Sequence, residues 1–338
     1  MRIAVAGAGA IGCTLAARLA IAGNAVSVLA RGATLAAIRD RGILLTGPQG
    51  LTVARVAVAD SEAPPQAGGA QALGSQDLVF LCVKSQDLAG LLPALQPLIG
   101  PDTVVVPIVN GVPWWYFHGE PGRFSGQLVR SVDPGGVLSA ALPLHQIIGS
   151  AVFITAETLA PGEVSANSAQ QLIVIGELDN RRTERLDGLQ SLIAACGIEA
   201  RATDRIRDNL WVKIIANLTS NPLSVVAGAT LEQVYGDASL KVVSSAMMTE
   251  AMAVAAAYGA RVLFDPLTFM EQGAAMGAVR TSMLQDALQR RPLELCAIGD
   301  AVLELAQRFD IPMPITRSVL AVAHFRDAVS RSPVRRTI

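Results

Sequence analysis

The chain has little of what metal and nucleophile chemistry usually requires. In 338 residues there are three histidines and four cysteines. Cys13, Cys82, Cys196 and Cys296 are scattered, with no CxxC pair and no metal-ligand spacing. No histidine lies near another or near a cysteine pair, so no metal site is expected, least of all a zinc centre. The thiols read as buried and reduced. An excess of charge of either sign is also missing: 27 Lys and Arg against 28 Asp and Glu leave a formal net charge of −1. Nothing forms the basic stripe that nucleic acid needs, or the polybasic run that suits a membrane surface. The expected partner is a small molecule, with no nucleic acid and no membrane.

Long continuous apolar runs are absent too, although 51% of the residues are hydrophobic. The longest uncharged stretch, 134–156, is broken by Pro134, Pro143, several glycines, His145 and Gln146, and reads as buried strands rather than a membrane span. The N-terminus places Arg2 before an uncharged stretch reaching Ala17. Gly7, Gly9 and Gly12 interrupt it where the apolar core of a signal peptide should be continuous. A cytoplasmic location is the resulting expectation. Internal repeats, charge blocks and low-complexity tails are not found. The length exceeds that of one ordinary domain, so two are expected, each with enough apolar content for its own core.

What is present begins at the first residues. The short apolar run 2–6 ends in Gly7-Ala8-Gly9-Ala10-Ile11-Gly12. A helical pattern follows, with Ile11, Leu15, Leu19 and Ile21 apolar, and stops at Gly23-Asn24. A second apolar run, 25–30, ends at Arg31. This is the order of a dinucleotide-binding strand–turn–helix–strand unit. In such a unit Gly7 allows the tight turn off the strand. Gly9 removes the Cβ that would block a pyrophosphate, and Gly12 lets the helix pack close to the sheet. The helix N-terminus offers unpaired N–H groups to the phosphates. The residue ending the second strand discriminates between cofactors. A carboxylate there would take the ribose 2′-hydroxyl of NAD, whereas arginine suits the extra phosphate of NADP. Arg31 holds that position and no acid appears before Asp40, so NADP(H) is expected.

Two further apolar runs, 77–83 and 103–109, read as parallel strands that deliver Lys84 and Asn110-Gly111 at their carboxyl ends. Ligands bind beyond those ends in open α/β sheets. After about residue 203 the texture becomes helical. In a helix predicted over 208–221, Lys213, Asn217 and Asn221 recur every four residues and share one face. A partly buried lysine can donate the proton that carbonyl reduction requires, and asparagines can anchor substrate oxygens without adding charge. No histidine occupies a comparable position. Further helices are predicted over 239–258, 282–289, 294–309 and 316–328. Glu294 follows Pro292 and opens a helix, which taken alone is ordinary complementation of the helix dipole.

Taken together, GAGAIG at 7–12, Arg31, CVKSQD at 82–87, VPIVNGV at 106–112, the Lys213–Asn217–Asn221 row, SMLQD at 282–286 and Glu294 resemble the ketopantoate reductase (2-dehydropantoate 2-reductase) family from residue 1 to about 325. The resemblance implies an α/β protein. A Rossmann-type doubly wound domain would span 1–203, and an all-helical domain of the 6-phosphogluconate-dehydrogenase-like kind 204–338. It implies NADPH reduction of the 2-oxo group of 2-dehydropantoate to (R)-pantoate, in pantothenate synthesis.

By matching position, Lys213 would be the general acid and Glu294 would orient the substrate hydroxyl. Asn110, Asn217, Asn221 and Ser282 would bind substrate. Gly7, Ala8, Gly9, Ala10, Ile11, Gly12, Arg31, Lys84 and Asn110 would bind the cofactor, with Lys84 between cofactor and substrate. Two departures bear on the pocket: the aromatic segment 113–118, and Val279 where some relatives carry a polar residue. They leave open a paralogue acting on a bulkier 2-oxo acid. A non-catalytic NADPH sensor is the reading from another class, and it would need neither Lys213 nor Glu294. The apolar helices of the second domain leave a homodimer open.

Overall fold

A computed structural model describes residues 1–63, 69–167 and 171–331. The chain forms two compact units. The first comprises Met1–Val109, Phe117–Leu128 and Gly135–Ile206; the second comprises Asn110–Tyr116, Val129–Pro134 and the chain from Arg207 on.

The first unit opens with β1 (Arg2–Ala6), α1 (Ala10–Ile21), β2 (Ala25–Ala30), α2 (Gly32–Arg41), β3 (Ile43–Gly47), β4 (Gly50–Ala54) and β5 (Ala57–Asp60). It continues through β6 (Gln76–Leu81), α3 (Leu88–Leu95), β7 (Ile99–Pro107), α4 (Val137–Ala141), β8 (Ile148–Phe153), β9 (Glu157–Ala160) and β10 (Glu163–Ser165), and ends with β11 (Leu172–Glu177), α5 (Glu184–Ala195) and β12 (Glu199–Ala202). Its principal sheet is parallel, in the order β5-β2-β1-β6-β7. Strand order reverses at β1, so the crevice beyond the carboxyl ends of β1 and β6 is the switch point where such sheets take ligands. β1 is buried from Ile3 to Ala6, as a central parallel strand covered on both faces must be. Ile3, Val5, Leu15, Leu19, Val28, Phe80 and Val106 share one core. Smaller sheets, β4-β3-β10-β9 and β12-β11-β8, complete the unit. The uncharged run expected to be strands is only partly so. It supplies the helix α4 and the single strand β8, whose Ile148–Ala151 are buried.

The second unit is helical. It contains α6 (Ile206–Ala227), α7 (Leu231–Gly236), α8 (Ala238–Ala257), α9 (Pro266–Ala275), α10 (Ser282–Leu288), a π-helical turn (Cys296–Asp300) leading into α11 (Ala301–Gln307), and α12 (Pro314–Arg331). α6 outruns the predicted helix, passing through Pro222 instead of stopping before it. The last turns bury Leu223 and Val225, and packing of that kind outweighs the lost backbone hydrogen bond. The Glu250 carboxylate accepts the Ile315 and Thr316 N–H groups at 2.9 Å each and so satisfies the start of α12. Among the described residues, α8 is the one helix long and apolar enough to cross a membrane by length and composition. One of its faces, with Met247, Met248, Ala251 and Val254, is buried in the protein.

Candidate active site

In the first unit the loop from β1 into α1 is built around what a side chain would collide with. A Cβ on Gly7, whose φ is +114°, would lie 2.6 Å from the Cys82 carbonyl oxygen. One on Gly12 would lie 1.9 Å from the Gly7 carbonyl oxygen. Gly9 is the opposite case: nothing lies within 4 Å of its missing Cβ. It is the N-cap of α1 and adds no capping side chain, and the first turn carries no acid. The first turn of α1 thus brings no carboxylate of its own to its N–H groups. Open space at the second glycine, over an uncapped helix start, fits a dinucleotide pyrophosphate.

Arg31 caps β2 and begins α2, and its Nη1 lies 2.8 Å from Glu62 Oε1. Glu62 was not singled out by the sequence. It arrives beside Arg31 because β5 pairs in parallel with β2, Ala30 opposite Asp60, and the chain then continues two residues further. Lys84 stands three residues past the end of β6, half-buried, at the start of a tight turn closed by Asp87 N–H on its carbonyl.

In the second unit the α6 row meets two residues from elsewhere in the chain. Asn110 Nδ2 donates to Glu294 Oε2 at 3.3 Å, and Asn110 Oδ1 accepts from Asn217 Nδ2 at 3.3 Å. Lys213, one turn before Asn217, is half-buried. Burial pushes its ammonium down to about 8, against the opposing pull of the Glu294 carboxylate. Glu294 is itself buried at 7% exposure. Asn221, one turn beyond Asn217, is 3% exposed. Its Oδ1 accepts from Ser220 Oγ, and its Nδ2 has no protein partner. A buried donor without a protein acceptor is a place for a ligand oxygen.

Ser282 is exposed at the first position of α10. Its neighbour Thr281 caps that helix through the Leu284 N–H and shares a 2.6 Å hydrogen bond with Ser224 on α6. That Ser224–Thr281 link ties the start of α10 to α6, and nothing in the sequence pattern indicated it. Lys213, Asn217, Asn110 and Glu294 are thus gathered in one place, with Asn221 one turn along the same helix.

Glu294 does not begin an ordinary helix. The helix starts at Leu295 and passes at once through the π-helical turn, where the Ala297 carbonyl accepts the Val112 N–H at 2.9 Å. Gly111, at φ +80°, makes this approach feasible, because a Cβ there would sit 2.3 Å from the Ala297 carbonyl oxygen. Single π turns are frequent at functional sites. The aromatic segment beyond Asn110 is interior packing. Trp114 and Trp115 are buried, Tyr116 Oη accepts from Trp211 Nε1 at 2.7 Å, and the Tyr116 carbonyl accepts from Arg207 Nε at 2.9 Å. Tyr116 also meets Tyr258 edge-on. The rings hold residues 110–116 in the second unit, and with them Asn110.

The described residues contain no group of three or more His, Cys, Asp or Glu side chains able to hold a metal ion. The arrangement offers instead a tuned ammonium, a buried carboxylate and amide donors. That set can protonate an oxygen and hold a hydroxylated acid.

The family described as ketopantoate reductase PanE/ApbA matches residues 3–123, and its C-terminal counterpart matches residues 205–327. The chain is 37% identical to a 2-dehydropantoate 2-reductase from Mesorhizobium japonicum, over 98% of this chain and 99% of that one. A crystal structure of a candidate ketopantoate reductase from Ralstonia solanacearum MolK2 is 34% identical, with a TM-score of 0.89 over 97% of this chain and 98% of that one. D-mandelate dehydrogenase, solved with NADH and anilino(oxo)acetate, shares the fold at 19% identity, with a TM-score of 0.82 over 98% of this chain and all of that one. With its glycine loop, its Lys213–Asn217–Asn221 row and its buried Glu294, this chain is an oxidoreductase that belongs to the ketopantoate reductase family.

Proposed function

We propose that the chain reduces 2-dehydropantoate to (R)-pantoate with NADPH, in pantothenate synthesis. The observation that carries this reading is the meeting of Lys213, Asn217, Asn110 and Glu294, with the Lys213 ammonium lowered to about 8. When bound, the nicotinamide supplies the hydride for the 2-oxo carbon. Lys213 gives its proton to the oxygen of that carbonyl as negative charge develops there. A donor titrating near neutral pH does this more readily than an ordinary lysine. Glu294 accepts a hydrogen bond from the substrate hydroxyl and sustains the charge on Lys213. Asn110, bonded to both Glu294 and Asn217, keeps the carboxylate and the amide in register. Asn217, Asn221 and Ser282 donate to the substrate's oxygens, and the open Asn221 Nδ2 has its natural acceptor there.

On the cofactor side, Gly7 to Gly12, with Ala8, Ala10 and Ile11 between them, would hold the pyrophosphate on the α1 N-terminus, and Arg31 the 2′-phosphate. Lys84 and Asn110 would each contribute a cofactor contact. The test is turnover of the purified chain with 2-dehydropantoate and NADPH, followed by NADPH consumption and identification of (R)-pantoate. Stoichiometric pantoate formation supports the reading. Absence of turnover with 2-dehydropantoate, alongside turnover of a bulkier aromatic 2-oxo acid, would replace the substrate. No turnover of either would overturn the reaction.

A further inference from the structure

Arg31 does not stand alone at the end of β2. Its guanidinium is held 2.8 Å from the Glu62 carboxylate, and both side chains are open to solvent, at 67% and 63% exposure. Each residue follows the carboxyl end of one of two paired parallel strands, β2 and β5, and Ser61 N–H on the Ala30 carbonyl at 2.9 Å draws the two strand ends together. The Glu62 N–H is itself fixed on Asp60 Oδ1 at 2.9 Å, so the turn that carries Glu62 is defined locally. Packing does not require this carboxylate, because both side chains lie mostly in solvent. What the pair does is place a negative charge on the Arg31 guanidinium at that strand end.

We propose that Glu62 is a specificity-determining residue that sets the balance between NADPH and NADH. The inference rests on the nicotinamide-cofactor reading above. The 2′-phosphate of NADPH needs the Arg31 guanidinium and must take it in competition with Glu62. A carboxylate and a phosphate on one guanidinium also repel each other. The ribose 2′-hydroxyl of NADH imposes neither demand; its usual acceptor is a carboxylate at the end of the second strand, and Glu62 brings one to that strand end from β5. Arg31 alone would make an NADPH site. Arg31 with Glu62 makes a site that accepts both cofactors, each through a different member of the pair.

The sign of the effect follows for each cofactor separately. Glu62→Gln removes the competing charge and tightens NADPH. It also replaces the carboxylate acceptor and weakens NADH. Two anions about two hydrogen-bond lengths apart in water repel strongly enough that the ratio of the two dissociation constants should move about tenfold toward NADPH. Because both side chains are exposed, the shift should shrink as ionic strength rises.

The experiment is equilibrium titration of the full chain with NADPH and with NADH, without substrate, following nicotinamide fluorescence. The wild type, Glu62→Gln, Arg31→Ala and the double variant are compared at low and high salt. Opposite shifts for the two cofactors in Glu62→Gln, reduced by salt and abolished for NADPH when Arg31 is also replaced, support the proposal. Binding of both cofactors with an unchanged ratio in Glu62→Gln overturns the role of Glu62 and leaves the cofactor reading intact. Failure of the wild type to bind either cofactor overturns both.

Discussion

Asn110 and Glu294 are 184 positions apart in the chain, yet the Asn110 amide donates to the Glu294 carboxylate at 3.3 Å. Asn110 also accepts from Asn217, so a loop, a helix face and the residue just ahead of the helix that begins at Leu295 meet through one side chain. The bond gives Glu294 a partner that its position ahead of a helix does not require. It also places the carboxylate where its charge opposes the lowering of Lys213.

Lys213→Ala should lower kcat by roughly 10²–10⁴-fold, the usual contribution of a positioned acid. As the proposed acid, Lys213 must be protonated to act. Activity should therefore hold below about 8 and fall as pH rises through it. The kcat/KM pH profile checks this, and an alkaline limb that survives in Lys213→Ala would assign it to another group.

Glu294→Gln separates two roles. If Glu294 only complements a helix dipole, the change costs roughly 0.3–1 kcal/mol of stability and leaves kcat/KM alone. The expected outcome is a small change in Tm and a large fall in kcat/KM for 2-dehydropantoate, with a smaller fall for a 2-oxo acid lacking the hydroxyl. Losing the carboxylate also removes the pull that raises Lys213, so the alkaline limb should move to lower pH. Equal losses on both acids would show that Glu294 acts through Lys213 and not on the hydroxyl.

Gly111→Ala should disturb the site without touching a polar group. A Cβ there meets the Ala297 carbonyl at 2.3 Å, and φ is +80°. The strain is of order 1–3 kcal/mol, read as a lower Tm, and the displaced Asn110 should raise the substrate KM. A variant with native Tm and KM would mean that the Val112–Ala297 contact does not hold Asn110.

Glu304 predicts a pH dependence of stability. Burial opposes its ionisation, but the Arg308 guanidinium and the N–H and hydroxyl groups of Ser131, with the Arg130 N–H, more than compensate and hold its carboxyl below the ordinary range. The folded-state value is depressed. The stabilisation is therefore complete above the ordinary glutamate range and is lost as pH falls through the depressed value. Glu304→Gln should cost ~1–3 kcal/mol near neutral pH, with the difference from wild type narrowing in acid. Denaturant unfolding at several pH values measures it, and a pH-independent difference would exclude the linkage.

Local physics made part of this protein legible in its sequence. A tight turn, an open second glycine and a helix start lie within a few consecutive residues, so Gly7, Gly9, Gly12 and Arg31 announce themselves. Helical periodicity is enough to put Lys213, Asn217 and Asn221 on one face. The rest depended on pairings between distant segments, which no window of sequence contains. Strand order brought Glu62 to Arg31, because β5 lies beside β2. Burial of Leu223 and Val225 carried α6 past Pro222, where local propensity alone would have ended it. Aromatic packing drew 110–116 into the second unit, where Tyr116 bonds Trp211 of α6 in the same unit as Asn110. The sequence by itself determined which chemical groups were available and which of them shared a turn or a helix face. Only the tertiary structure decided which of those groups would meet, because that depends on how distant segments bury their apolar surfaces against one another.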